Sequence, residues 1–228
     1  EYTYISDGSG AWVRPHFTFY GFRYVKLEGF EKPDVMDFVG ESLYSDIERV
    51  GFFHSSSDKV NRFAENVLWS QRDNYLDVPT DCPQRDERMG WTGDAQAFCA
   101  TAYYQMDAAA FLNKYMHDMY QEQKAHDGAV PHIIPSFALG GEPSCGWADA
   151  ATIIPWTTYL FYGDKELLAR QYPNMREWAE WIYRTDESIG GARLWRTGFQ
   201  WADWLALDAA YPNSCTGGTE PYFIASCY

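Results

Sequence analysis

Basic side chains, cysteines and long apolar runs are all scarce in this sequence of 228 residues. Lys and Arg together number 18 against 32 Asp and Glu, a formal net charge of −14. So acidic a surface repels phosphate backbones and anionic headgroups, which excludes nucleic-acid binding and polybasic membrane docking as good readings. No apolar stretch approaches the ~20 residues of a membrane-spanning helix. Cysteine occurs only at positions 82, 99, 145, 215 and 227. The odd count and the lack of any C-x-x-C pair argue against a zinc site and a complete disulfide framework, and thiols left free tilt the compartment towards the cytoplasm. No H-E-x-x-H or comparable spacing occurs. His117, His126 and His132 can be drawn as ligands with Asp118 and Asp127, but histidine on a helix surface is the commoner case, so neither a metal nor a cofactor is expected. There is no initiator Met and no signal-like leader. The chain opens on Glu1-Tyr2-Thr3-Tyr4 and ends in a helical pattern at 223–228, which leads us to expect a segment of a longer protein.

Aromatic rings are what the sequence has in excess. They make up 18% of residues, with 10 Trp and 17 Tyr, more amphipathic rings than core packing requires. With 46% hydrophobic and 22% charged residues, the composition is that of a globular chain of one or two domains.

Residues 1–55 read as strands. Phe22, Tyr24, Lys26 and Glu28 alternate with Arg23, Val25 and Leu27. Further strand-like runs follow at 35–44 and 50–53, so the last strands of a β-sandwich domain are expected here. After Ser55-Ser56-Ser57 the period changes to 3.6. Val60, Phe63, Ala64, Val67 and Leu68 form one stripe, with Ser57 as N-cap. Further helices are expected at about 93–104, after Asp107, from Asp149 to Tyr162, from Asp164 to Arg184, and from Thr219. Pro155 is expected to kink its helix or delay its start, and Pro173 to break its helix near the middle.

The links between these helices alternate between short and long. Long ones span 77–92, 124–148 and 185–218. Short links make antiparallel neighbours, so all three long segments are expected at one end of the helical array, where binding groups tend to sit. Each carries Trp beside a carboxylate: Asp81 to Asp94 with Trp91, then Trp147-Ala148-Asp149, then Trp201-Ala202-Asp203-Trp204. One Trp-x-Asp alone is usually a helix start, and a charge run such as Asp86-Glu87-Arg88 is usually solvated. Three such pairs at one end suit a sugar instead. Indole offers a flat apolar face to a pyranose, carboxylates accept from paired hydroxyls, and glycosidic cleavage needs one carboxylic acid and a second carboxylate.

The block Asp81-Cys82-Pro83-Gln84-Arg85-Asp86-Glu87-Arg88-Met89-Gly90-Trp91-Thr92-Gly93-Asp94-Ala95-Gln96 resembles the signature loop of the bacterial α-L-rhamnosidases, family 78 of the glycoside hydrolases. Phe19 to Val25, Trp147-Ala148-Asp149 and Asp203 to Asp208 resemble other blocks of that family, so the similarity covers nearly the whole chain. It implies a mainly α fold, with residues 56–228 as the N-terminal half of an (α/α)6 barrel and residues 1–55 as the end of the preceding β-sandwich. It also implies inverting hydrolysis of terminal α-L-rhamnose from glycosides or polysaccharides. Glu87 matches the general acid. Asp81, Arg85, Trp91, Asp94, Trp147, Asp149 and Trp201 match or neighbour the positions that line the sugar pocket, with Trp204 the alternative to Trp201. The family's general base is a Glu beyond the sixth helix and is expected to be missing from this chain; Asp81 and Asp203 are the only nearby substitutes. Carboxylates around Glu87 favour its protonated form, and Arg85 and Arg88 oppose it. Two other readings remain: a non-catalytic carbohydrate-binding module, and an (α/α)6 glycosidase acting on another sugar. Homo-oligomer formation is left open.

Overall fold

The computed structural model describes residues 1–137, 141–195, 197–201 and 204. Among these residues the regular structure is mainly helical, consistent with part of an α/α barrel: α1 (Asp58–Asn74), α2 (Thr92–Gln105), α3 (Ala109–Ala125), α4 (Ala150–Tyr162) and α5 (Lys165–Ser188). A two-stranded antiparallel pair, β1 (Tyr75–Leu76) and β2 (Val78–Pro79), turns the chain directly after α1.

α4 is the hub, packing on α2, α3 and α5, while α3 also packs on α5. Small residues let the backbones approach. Ala95, Cys99 and Ala102 recur at helical spacing on α2, and Ala150, Ala151 and Ile154 do so on α4; all six are buried. α3 adds Leu112, Tyr115, Met116 and Met119, none with accessible surface. The Tyr103 and Thr158 hydroxyls pair within this core.

Both interior prolines are accommodated. Pro155 lies inside α4 and Pro173 inside α5, and neither helix stops. Each proline removes one backbone donor, but burial of Ile154 and Thr158 on α4, and of Asn174 and Trp178 on α5, holds the helix on either side. Gly163 ends α4 with a left-handed φ of 66°, as a C-cap glycine does. The Asp164 side chain then caps α5 by accepting from the Leu167 N–H at 2.9 Å.

The expected β-sandwich strands in residues 1–55 are not there. Among the described residues this segment holds a 3-10 turn at Val35–Asp37 and an isolated bridge between Arg49 and Met106, and no strand. Alternation along a chain supplies two faces, but a ladder also needs partner strands for its N–H and C=O groups, and none pairs within 1–55. Phe22, Tyr24 and Val25 are accordingly exposed. What docks is residues 45–51, through backbone bonds: Ser45 N–H to the Tyr75 carbonyl at 2.8 Å, and both Val50 and Gly51 N–H to the Gln105 carbonyl at 3.0 Å. The α1 stripe also differs from expectation. Leu68 is buried, whereas Val60 and Phe63 are exposed, because α1 packs chiefly on the short β1. Ser57 is the N-cap residue of α1 but makes no side-chain cap bond. The sixth helix expected from Thr219 lies outside the described residues.

Truncating Leu112 tests where the core sits. Leu112→Ala is expected to cost about 2–5 kcal/mol of unfolding free energy in a urea titration. A loss below about 1 kcal/mol would show that the α3 face is not the packing centre.

Candidate active site

The three long connections meet. Residues 90–92, at the end of the first, pair with 132–134 in the second: Ile134 N–H donates to the Gly90 carbonyl at 2.9 Å, and Thr92 N–H to the His132 carbonyl at 3.0 Å. Gly90 is required at this crossing, since a Cβ there would stand 2.3 Å from the Ile134 carbonyl oxygen. From below, the buried Tyr115 hydroxyl of α3 donates to the same Gly90 carbonyl at 3.0 Å. The third connection joins through Gln200, whose Oε1 accepts from Cys145 N–H at 2.7 Å, and through Trp201, whose N–H donates to Ser144 Oγ at 3.0 Å.

This convergence builds an aromatic cluster. The Trp91 ring stacks on His132 with centroids 5.6 Å apart and meets Trp201 edge-on at 5.1 Å. Trp147 lies 6.2 Å from Trp201 and also packs beside Gly93, where a Cβ would come within 2.7 Å of the indole. Trp204 meets Trp201 edge-on at 5.0 Å, so both alternatives for the third-loop position belong to one cluster. His132 is missing from the sequence-based set for this site, because a lone His in an apolar run carries no signal of its partners. It is 4% exposed, neither ring nitrogen has a hydrogen-bond partner among the described residues, and burial holds its pKa below the usual histidine range, with Glu142 opposing.

Glu87 sits against this cluster. Trp91 Nε1–H donates to its Oε1, while Oε2 is buried and has no hydrogen-bond partner among the described residues. An oxygen of Glu87, an oxygen of Asp81 and the Cys82 sulfur all lie within 4.8 Å of one another. The loop reaches this shape through left-handed backbone at Cys82 (φ 42°) and Arg88 (φ 39°), an uncommon conformation for side-chain-bearing residues. Arg88 is drawn away from the carboxylates: its guanidinium lies 4.4 Å over the Phe19 ring, donates to the Phe19 carbonyl at 3.0 Å and pairs with Asp86 at 3.1 Å. Arg85 is exposed, with its N–H on the Cys82 carbonyl at 3.3 Å.

Behind the loop, between α1 and α2, lies a cavity of about 350 Å³ lined by Asp81 and Asp94 among others. By accessible area Asp94 is exposed, yet protein atoms crowd its carboxyl. The recess accounts for both, since water enters it without giving the solvation of an open surface. Desolvation first, then the charge on Asp81 and more weakly that on Glu87, pushes the Asp94 carboxyl up to about 6 against its own backbone hydrogen bond. Asp149, at the start of α4, accepts from Gly146 N–H and from Trp178 Nε1–H, each at 2.9 Å, and so ties the Trp147 turn to α5. Asp203 and the block to Asp208 lie outside the described residues. The histidines considered as metal ligands do not assemble: among the described residues the one group with ligand spacing is Asp81, Cys82 and Glu87.

Comparison with known proteins bears on the identity of this site. The family described as bacterial alpha-L-rhamnosidase 6 hairpin glycosidase domain matches residues 48–228. The bacterial alpha-L-rhamnosidase concanavalin-like domain matches residues 1–44. An alpha-L-rhamnosidase of Formosa agariphila is 42% identical over 180 residues, covering 78% of this chain and 19% of that protein. One of Streptomyces avermitilis is 36% identical over 213 residues, covering 92% and 20%. The chain therefore spans about a fifth of the length of these curated relatives. Among solved structures, native α-L-rhamnosidase from Aspergillus terreus superposes with a TM-score of 0.72 at 41% identity, over 80% of this chain and 21% of that one. The Streptomyces avermitilis enzyme complexed with L-rhamnose gives 0.70 at 33% identity, over 80% and 16%.

The geometry makes two expectations measurable. Gly90→Ala is expected to cost about 1–3 kcal/mol in stability, through the clash with the Ile134 carbonyl, and to change tryptophan fluorescence as Trp91 shifts; unaltered emission and stability would remove the crossing as the anchor of the loop. The second concerns pH. A carboxyl raised above its unfolded value binds its proton more tightly in the folded state, so its contribution is complete below about pH 4 and is lost as pH rises through about 6. The Tm of Asp94→Asn should therefore exceed that of the parent chain at pH 7.5, with the difference shrinking towards pH 4. A constant difference across that range would contradict the assignment.

Proposed function

The chain belongs to the bacterial α-L-rhamnosidase family, and from that premise we propose that its protein hydrolyses terminal α-L-rhamnose from glycosides with inversion at the anomeric carbon, Glu87 serving as general acid. The observation that carries this reading is the setting of Glu87. One carboxyl oxygen is held by the Trp91 indole N–H, and the other is buried beside Asp81 at the edge of the indole cluster. A carboxyl held by a neutral donor, with Arg88 engaged by Phe19 and Asp86, is placed to carry a proton to a leaving oxygen.

Trp91, Trp147 and Trp201 would form the apolar wall, which suits a 6-deoxy sugar whose C6 is a methyl group. Asp81, Arg85, Asp94 and Asp149 would supply hydrogen bonds to hydroxyls. The second carboxylate must come from another part of the site. An inverting pair stands ~6.5–9.5 Å apart to admit a water, whereas oxygens of Asp81 and Glu87 approach within 4.8 Å. Asp81 is thus a neighbour of the acid and not the base that faces it across the sugar. The helical region, residues 56–228, would be the first half of the (α/α)6 barrel that presents these loops.

Glu87→Gln in the full-length enzyme tests the assignment. A rhamnoside with a poor leaving group should lose about 10²–10⁴-fold in kcat, an activated aryl rhamnoside much less, and proton NMR of the parent reaction should show β-L-rhamnose forming first. A few-fold loss on the poor leaving group would remove Glu87 from the acid role, and an α-configured first product would remove inversion.

A further inference from the structure

The loop that carries Glu87 has little backbone support of its own. Asp81 N–H donates to the Met89 carbonyl at 2.8 Å and closes the loop at its base. Among the described residues, one backbone bond lies within 82–88, from Arg85 N–H to the Cys82 carbonyl at 3.3 Å. The loop is braced instead by a side chain and by a distant stretch of the chain. All three guanidinium nitrogens of Arg88 are engaged: Nε donates to the Arg85 carbonyl at 2.9 Å, Nη2 to Asp86 at 3.1 Å and Nη1 to the Phe19 carbonyl at 3.0 Å. The guanidinium also lies 4.4 Å over the Phe19 ring, within cation–π range. Two residues on, Gly21 packs on the same loop so closely that a Cβ there would stand 2.3 Å from the Gln84 Cα. Phe19 and Gly21 lie within 1–44, matched by the concanavalin-like domain, whereas Glu87 lies within 48–228, matched by the hairpin glycosidase domain. The contact therefore crosses from one to the other, joining residues 69 positions apart.

We infer that residues 19–21 clamp the acid-bearing loop, and that Phe19 and Arg88 are positioning residues for Glu87. Glu87 and Arg88 are consecutive, and the first meets Trp91 while the second meets Phe19. Trp91 holds one carboxyl oxygen, and the other has no hydrogen-bond partner among the described residues. The orientation of the carboxyl is therefore set by a single side-chain bond and by the course of the backbone beneath it. The clamp fixes that course at the very next residue. Misplacing a reacting group by about 1 Å can cost on the order of 10²-fold in rate, so a loosened loop weakens proton delivery even with Glu87 intact. This inference rests on Glu87 as the acid, so the test has one arm that needs no turnover.

In that arm hydrogen–deuterium exchange of the full-length enzyme is followed by mass spectrometry on the peptide containing residues 82–88. Phe19→Ala and Gly21→Ala should each speed exchange there roughly three- to tenfold, since the loop opens more readily once a brace is lost. Unaltered exchange in both variants overturns the clamp. The second arm compares two rhamnosides in the same enzyme. Phe19→Ala should lose roughly tenfold in kcat on the one with a poor leaving group, and less than about twofold on an activated aryl rhamnoside, whose departure needs no proton. Phe19→Tyr keeps the ring and should recover to within about threefold of the parent. Equal losses on both substrates, or no loss on either, overturn the positioning role, because general damage to the fold does not depend on the leaving group. Glu87→Gln without any leaving-group dependence overturns the general-acid reading instead, and the exchange result still decides whether residues 19–21 clamp the loop.

Discussion

Everything at this site depends on a short backbone pairing. Gly90 and Thr92 exchange hydrogen bonds with residues 132–134, and the buried Tyr115 hydroxyl fixes the Gly90 carbonyl from the core side. Trp91 sits between the two paired positions, so the direction of its indole follows from the register. Individually such bonds add about 1 kcal/mol, but a buried peptide group left unpaired costs more than that. The pairing therefore persists as a unit, and the only residue that fits at its closest approach is the one without a Cβ.

Around that pairing the electrostatics follow one pattern. Asp81, Glu87 and Asp94 interact in a molecule of net charge −14, and Arg88 of the same loop is engaged by Phe19 and Asp86 instead. The cluster is relieved by neutral donors and by proton uptake. Trp91 donates to Glu87, and burial beside Asp81 raises the Asp94 carboxyl to about 6. A site of this kind suits a neutral polyhydroxylated ligand, which brings hydroxyl donors to the carboxylates, and is hostile to anions. Indole faces complete it by offering apolar contact that carries no charge.

How much could be read in advance differed by element. The existence of α2 and α3 was legible, and small or apolar residues at helical spacing, Ala95, Cys99 and Ala102 on α2 and Leu112, Tyr115, Met116 and Met119 on α3, are the ones buried. Gly163 and Asp164 marked a helix end and a helix start for local reasons that hold in any fold. Pro173 misled as a helix break, because burial of a whole helix face on its neighbours outweighs the donor that the proline removes. The alternation in residues 1–55 misled for the opposite reason: strand character needs a partner, and no described residue supplies one. Of the site, the carboxylates and indoles were legible by residue type and by the alternation of short and long links. His132 was not, since its place is defined by the indoles that lie across from it.

The sequence by itself determined the helical periods, the strong acidity, and a loop whose composition of carboxylate, indole and glycine resembles that of a known hydrolase family. These are local properties of adjacent residues. Only the tertiary structure decided that three separated loops meet at one point, that Arg88 turns away from Glu87 to Phe19, and that Asp94 lies in a recess with Asp81. Those outcomes are set by close packing and by backbone hydrogen bonds between segments distant in the chain. The alternation of links places the three loops at one end, but their actual contacts depend on distances between groups that only folding brings together.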